Sequence, residues 1–351
     1  MFIVGLGAVA PVKSYTQEAC WEALNRSPMF PTFSTRTRAI LRKVLLGNNG
    51  IHTRRLVLDP LDEAFQIDPD TLHQRFLKHA PVLAANAVRN ALTDAGLDIT
   101  QVDALIVSTC TGYVCPGLSS YVMEILGLSP NVFCLDLVGQ GCGAAMPSLN
   151  NAMNLVASGG YTNVVSVCVE VCSAAFYLDE DPGVLVSACL FGDGAAAAVI
   201  SARDINPNYS VQWKKFGSVT DVKTRDLLRF EQKGGMLRNI LSLQVPTLAA
   251  NYAHQVLKQV SGGDDPQFAN YVLHAGGRDV LKALEKKFGL EETQTAESAE
   301  VLREFGNISS PFVLFVLQKA LLHRRPPGLW WMASFGAGFS SHGAVLEIAY
   351  K

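Results

Sequence analysis

The chain repeats itself. Val82 to Gly112 (VLAANAVRNALTDAGLDITQVDALIVSTCTG) lies without a gap over Thr247 to Gly277 (TLAANYAHQVLKQVSGGDDPQFANYVLHAGG), and each copy carries LAAN at its start and closes on glycine. Self-similarity over such a span is the mark of a duplicated unit. At 351 residues the chain is also about twice the usual domain length. In each copy apolar positions first recur with a helical period (Leu83 to Ala95; Leu248 to Val260). After a polar turn they form a short unbroken run (Ala104 to Ser108; Tyr271 to Leu273). At the same offset Gly141-Cys142 meets Gly306-Asn307, each opening an apolar helix (Ala144 to Ala157; Pro311 to Leu322). Another buried strand follows each helix (Val164 to Val169; Leu329 to Ser334). Strands apolar on both faces require helices on both sides. The expected fold is therefore α/β, in two like halves, residues 1–205 and 206–351.

The repeat breaks after Val171. Between Cys172 and Phe191 the first half carries CSAAFYLDEDPGVLVSACLF, for which the second half has only a shorter equivalent before FSSHGAVLEI. An insertion in one copy is where a duplicated scaffold would carry specificity.

Composition removes several classes of function. Hydrophobic residues make up 49% and charged residues 17%, which excludes a disordered tail protein or a coiled coil. Twenty-nine basic against thirty-one acidic residues leave no basic footprint for nucleic acid. No uncharged apolar run reaches the roughly 18 residues a membrane span needs. The opening MFIVGLGAVAPVKSY lacks the basic start of a signal peptide and is expected to form a first buried strand, with the cytoplasm as the expected location. The eight cysteines form no CxxC pair, so neither a metal site nor a redox motif is expected.

Three residues could carry chemistry. Cys142, in LVGQGCGAAMPSL, is placed by its flanking glycines at the N-terminus of a helix, where free N–H groups and the helix dipole would lower a thiol's pKa. A buried small residue at a turn is the plain structural alternative. A nucleophilic cysteine needs a base. Of the seven histidines, His274 ends the buried strand YVLHAGG at the sheet rim, where α/β folds collect ligands, although a core histidine would also fit. The others lie in polar or helical stretches, and His342 in a glycine-rich turn. Asn307 holds in copy two the place of Cys142 in copy one. Its amide could donate to an oxyanion, or simply cap the helix.

Together, Cys142 in GQGCGAA, His274 in HAGG and Asn307 in GNISS, with LFGDGAA at Leu190 to Ala196 and SFGAGF at Ser334 to Phe339, resemble the type III polyketide synthases, the chalcone and stilbene synthase family. The resemblance covers nearly the whole chain. It implies a thiolase-like, five-layered αβαβα fold in a homodimer, acting on coenzyme A thioesters without an acyl carrier protein, a metal or another cofactor. An acyl-CoA starter would load onto Cys142. Malonyl-CoA would lose CO2, its enolate would attack the thioester, and after repeated extension the product would cyclise. His274 and Asn307 would stabilise the charge on the thioester oxygen.

Further residues are assigned by the same resemblance. Phe176, in the insertion, and Phe230, in LLRFEQKGG, resemble the family's gatekeeper phenylalanines. Cys115, with Pro116 and Gly117, falls where the family has a loop reaching into the partner's cavity, so Cys110 and Cys115 would line the pocket. Ser309 matches a cavity-lining serine, and Gly336 and Ala337 belong to the glycine-rich loop. Arg38, Arg42 and Lys43, with the following IHTRR, occupy the region that binds the coenzyme A phosphates, and Gly276 and Gly277 are also assigned to coenzyme A.

Three departures from the plant pattern count against an expectation of chalcone or stilbene as products. Ala337 stands where the plant enzymes have proline, GCGAAMP and not the plant form surrounds the nucleophile, and the plant N-terminal extension is expected to be absent. They point to a bacterial-type enzyme making a pyrone or a resorcinol. The nearest rival is a β-ketoacyl carrier protein synthase of the initiating kind, which uses the same trio but typically shows HQAN and GNTSA. A hydroxymethylglutaryl-CoA synthase would need a general-acid Glu that has no evident match. A non-catalytic binding protein on a thiolase fold should have lost one of the trio.

Overall fold

The structure is a computed structural model and describes residues 1–263 and 266–351. Asp264 and Asp265, in the polar turn of the second repeat, lie outside the described residues. The first half runs β1 (Phe2–Val9), β2 (Ser14–Thr16), α1 (Gln17–Arg26), α2 (Thr35–Leu46), β3 (Thr53–Arg55), α3 (Pro69–Ala95), β4 (Ala104–Ser108) and α4 (Leu118–Leu126). It continues through β5 (Phe133–Leu137), α5 (Ala145–Ala157), β6 (Asn163–Glu170), α6 (Pro182–Leu190) and β7 (Gly194–Ser201). The second half follows with β8 (Tyr209–Thr220), β9 (Leu228–Lys233), β10 (Met236–Leu241), α7 (Val245–Ser261) and β11 (Asn270–Leu273). Then come α8 (Arg278–Phe288), α9 (Ala296–Phe305), α10 (Phe312–Leu322), β12 (Gly328–Gly336) and β13 (Ser340–Tyr350).

The repeat seen in the sequence is a repeat in space. Strands run β5-β4-β6-β7-β1 in one half and β11-β12-β13-β8 in the other, so that β4, β6, β7 and β1 correspond in order to β11, β12, β13 and β8. The pairs β4·β6 and β11·β12 are parallel, and the next two pairs in each half are antiparallel. One pairing, Phe2 to Gln212, joins the halves into a single nine-stranded sheet.

The layers follow from which face each side chain takes. Ile106, Val164, Ala198, Met332 and Leu346 point to one face and pack with α5 and α10 in a shared central core. On the opposite face of the first half, Leu105, Val165 and Val199 pack against α3 and α4. Trp331, Ala333 and Val345 do the same against α7 and α8 in the second. The result is five layers, αβαβα, a thiolase-like fold built from two duplicated α/β halves. Helix α10 is buried continuously from Phe312 to Leu317, as a helix covered by a sheet on either side must be. That central layer accounts for the low charged fraction.

Local signals set the boundaries. The expected helix from Leu83 begins earlier, at Pro69, because the Asp68 carboxylate caps the N–H of Thr71 at 3.0 Å and proline suits a first turn. It ends at Gly96, whose φ of 66° places it in the left-handed region favoured by glycine. Strand β1 is the expected opening strand. His342 lies within β13 and is 4% exposed, not in a glycine-rich turn. The glycines before it make the bend, and the next strand has begun by Ser340.

The single-copy insertion is tied down by its own acids. Glu180 accepts from the backbone N–H of Ser34 at 3.1 Å, at the head of α2. Arg238 on β10 pairs with Asp179 at 2.7 Å and with Glu231 at 2.8 Å, so the insertion bridges the basic helix and the β9–β10 hairpin.

Candidate active site

After β5 the chain turns sharply through Gly141–Gly143 onto the head of α5. Gly141 has a φ of 57°, and a Cβ there would lie 2.8 Å from the backbone nitrogen of Ala337. Gly336, from the other half, approaches so closely that a Cβ would lie 2.3 Å from the carbonyl oxygen of Gln140. Glycine is therefore required at both positions, and the two halves meet backbone to backbone beside Cys142.

Hydrogen bonds connect the three predicted loops. The hydroxyl of Ser309 donates to the Cys142 sulfur at 3.2 Å. The Ser309 N–H donates to Oδ1 of Asn307 at 2.9 Å, and Nδ2 of Asn307 donates to the carbonyl of Gly276, two residues beyond His274, at 3.1 Å. Asn307 is held in turn by the end of α6: its N–H donates to the Leu190 carbonyl at 2.9 Å, and its own carbonyl accepts from Gly192 at 3.0 Å. Ser309 has a φ of 57°, an uncommon backbone state for a residue with a side chain, of the kind that clusters at functional sites.

His274 is 1% exposed at the end of β11, its ring edge-on to Phe312 and Phe335 with centroids 5.0 Å away in each case. Neither ring nitrogen has a hydrogen-bond partner among the described residues. Burial pushes its pKa down to about 3, so the imidazole is neutral. Burial also pushes the Cys142 thiol up, to about 12, despite the Ser309 hydrogen bond that favours the thiolate. Desolvation and the donors at the helix terminus thus act on the thiol in opposite directions.

Sequence reasoning missed Glu170, the last residue of β6, which is wholly buried. Its carboxylate accepts from the Ser310 hydroxyl at 2.5 Å, the Cys110 N–H at 3.0 Å and the Thr111 hydroxyl at 3.0 Å, and lies 3.4 Å from the Ser309 hydroxyl. Burial raises its pKa while these donors pull it back. The only signal in the sequence is an acid closing the otherwise apolar strand VVSVCVE.

A narrow cavity surrounds Cys142, walled by Cys110, Phe176, Phe230, Ser309 and Ala337. Five expected pocket residues thus come together around the candidate nucleophile. The cavity adjoins a wider, more open one of about 590 Å³, which shares Cys110, Phe230 and Ala337. Phe191 and Arg229 also line the inner cavity and were not foreseen; Phe191 sits inside the LFGDGAA motif and bridges to Asn307. Neither His274 nor Asn307 forms part of the cavity wall, and both connect to it through the Ser309 and Gly276 links. Cys115 is exposed on its loop, outside both cavities.

The basic region separates into cations bound to backbone carbonyls and cations exposed on α2. Arg38 donates to the carbonyls of Phe33 at 3.0 Å and Pro31 at 2.8 Å, and Arg54 is buried against the carbonyls of Ala188 and Phe191. Arg42 and Lys43 are exposed on α2. Gly277 caps α8, and the following Arg278 donates to the Asn48 carbonyl just beyond α2, so the HAGG loop and the basic helix are neighbours.

A thiol at the head of a central helix, where two duplicated α/β halves converge, defines an acyl-transferring enzyme of the thiolase-like kind. Residues 15–217 match the family described as FAE1/Type III polyketide synthase-like protein, and residues 233–325 the chalcone and stilbene synthase C-terminal domain; the chain belongs to the type III polyketide synthases. It is a condensing acyltransferase that extends a starter by iterative decarboxylative condensation. Among curated relatives, the alpha-pyrone synthesis polyketide synthase-like Pks18 of Mycobacterium tuberculosis is 29% identical, over 76% of this chain and 71% of its own length. The 3,5-dihydroxyphenylacetyl-CoA synthase of Streptomyces toyocaensis is 27% identical, over 98% of this chain and 89% of its own. The crystal structure of PKS-I from the brown alga Ectocarpus siliculosus superposes with a TM-score of 0.89 at 25% identity, covering 98% of this chain and 97% of that one.

Proposed function

We propose that Cys142 carries the growing acyl chain, while His274 and Asn307 stabilise the enolate formed from malonyl-CoA. The observation that carries this reading is the chain of hydrogen bonds from Cys142 through Ser309 to Asn307 and Gly276. In loading, the thiol attacks the starter thioester; its proton passes by way of His274 to the departing coenzyme A sulfur, leaving acyl-Cys142 and free coenzyme A. An imidazole can serve this role because one ring nitrogen accepts a proton while the other donates, provided that bound substrate offsets the desolvation that lowers its pKa in the free protein. Malonyl-CoA then loses CO2. Its enolate carbon attacks the acyl-Cys142 carbonyl, and the sulfur leaves and is reprotonated. Donors aimed at the enolate oxygen are worth about 3 kcal/mol each.

In this reading Arg42 and Lys43, with Gly276 and Gly277, receive coenzyme A. Arg38 is a weaker choice, its donors being directed to carbonyls. The halves 1–205 and 206–351 act as one catalytic body in a cytoplasmic homodimer, with the exposed Cys115 loop reaching into the partner's cavity. Phe176 and Phe230 bound the chain near the thiol. No cofactor beyond the coenzyme A substrates and no acyl carrier protein takes part, and the product is a pyrone or a resorcinol.

Purified protein given malonyl-CoA and a panel of acyl-CoAs should release CO2 and form polyketides identifiable by mass spectrometry. A requirement for malonylated carrier protein would overturn the coenzyme A reading. Cys142→Ala should abolish acyl loading and may be compared with folded His274→Ala, which should lose loading and decarboxylation alike. Condensation by Cys142→Ala would refute the nucleophile assignment.

A further inference from the structure

Beneath the turn that carries Cys142, the second half presents three polar side chains in a row. Ser334 on β12, His342 on β13 and Ser218 on β8 are direct partners in the strand register. Cross-strand partners project to the same face, here the face that Met332 and Ala344 turn toward the central helices. The Ser334 hydroxyl donates to the carbonyl of Gly143, the residue after the candidate nucleophile, at 3.2 Å. His342 shares Nδ1 with the Ser218 hydroxyl at 2.8 Å, and its ring stacks on Phe216 at 6.3 Å between centroids. Its Cδ2 lies so close to Gly143 that a Cβ there would come within 3.2 Å. Nε2 is buried and has no hydrogen-bond partner among the described residues.

We propose that Ser334 and His342 are positioning residues for the condensation reaction, fixing the Gly143 peptide so that the head of α5 holds the Cys142 sulfur in reacting geometry. Ser334 fixes the carbonyl, and the His342 ring fills the space below. The carbonyl of Gly143 and the N–H of Ala144 belong to one peptide unit, and that N–H closes the turn on the Gly141 carbonyl at 3.1 Å. A donor on the carbonyl polarises the peptide and strengthens this closing bond. A nucleophile displaced by about 1 Å can lose about 100-fold in rate, so a loosened turn should be visible in turnover. Sequence reasoning left both residues outside the site, because their contact with Gly143 is made only when the halves pack.

The inference rests on Cys142 as nucleophile, and the experiment separates the two. Ser334→Ala removes one oxygen and Ser334→Thr restores a hydroxyl; His342→Phe keeps a ring of similar shape without its nitrogens. In folded Ser334→Ala, kcat should fall about tenfold, a part of the loss that a 1 Å displacement brings, with KM for malonyl-CoA little changed. The pH midpoint for iodoacetamide alkylation of Cys142, followed by peptide mass mapping, should move upward. Ser334→Thr should recover most of both, and His342→Phe should show an intermediate loss. Unchanged kcat and alkylation midpoint in Ser334→Ala would overturn the inference, as would losses in Ser334→Thr equal to those in Ser334→Ala. Condensation by Cys142→Ala would instead refute the reading on which the inference rests.

Discussion

The Ser309 hydroxyl donates to the Cys142 sulfur across 3.2 Å, although the two residues belong to different halves of the chain. This bond opposes the burial that raises the thiol. Ser309→Ala should raise the thiol further and slow acyl loading. One hydrogen bond contributes about 1 kcal/mol, or roughly a fivefold slowing in single-turnover loading followed by intact-protein mass. Loading within twofold of the parent would mean that the contact does not assist the nucleophile.

Acid should destabilise the fold through His274. The native imidazole titrates near 3 against 6.5 when unperturbed, so the unfolded chain takes up the proton first. Its contribution to stability is complete above about pH 6.5 and is lost as the pH falls toward 3. Glu170 works in the opposite sense: its raised carboxyl contributes fully below its ordinary value of 4.5 and less as pH rises through the native value. Because Glu170 remains in both proteins, comparison with His274→Gln isolates the histidine. The urea midpoint of the variant should decline less between pH 6.5 and pH 4; parallel curves would argue against a buried neutral imidazole.

Gly336 leaves no room for a side chain. A Cβ would lie 2.3 Å from the Gln140 carbonyl and 2.5 Å from the Gly143 nitrogen, both rigid backbone atoms. Gly336→Ala should therefore separate the two halves at the nucleophile turn, lowering stability by a few kcal/mol, roughly 2–4. Denaturant unfolding and acyl loading should both register the change, and retention of both would contradict the close approach.

Arg238 joins the insertion to the hairpin through Asp179 and Glu231 while only 12% of its side chain is exposed. Arg238→Met should leave Asp179 without its cation, Glu231 keeping Arg229 at 2.8 Å, and lower Tm by roughly 2–4 °C. The difference from the parent should shrink in 1 M salt, where charges are screened within about 3 Å. A salt-independent loss would assign the effect to packing.

Much of the architecture was legible because it is local. The period of Leu83 to Ala95 marks a helix wherever it packs, and the run from Val164 to Val169 is apolar because both faces of β6 are covered. The start of α3 was placed late because its first turns, around His73, are too polar to show the core period. Of the seven substrate-side residues that the resemblance names, Phe176, Phe230, Cys110, Ser309 and Ala337 line the cavity at Cys142, while Cys115 and Gly336 do not. Phe191 went unrecognised inside a motif already noted, since which side chain of a loop faces a cavity depends on the neighbouring backbone.

Periodicity and glycine placement are properties of short segments, so the duplication, the α/β class and the three loops from which the chemistry is expected can be read before any packing is known. The packing of the two halves sets how those loops join through Ser309, places Glu170 beside them and puts His342 under the nucleophile turn. It also sets the burial that pushes the Cys142 thiol up and the His274 imidazole down. The physical reason is that desolvation is summed over every atom surrounding a group, and most of those atoms arrive from distant parts of the chain.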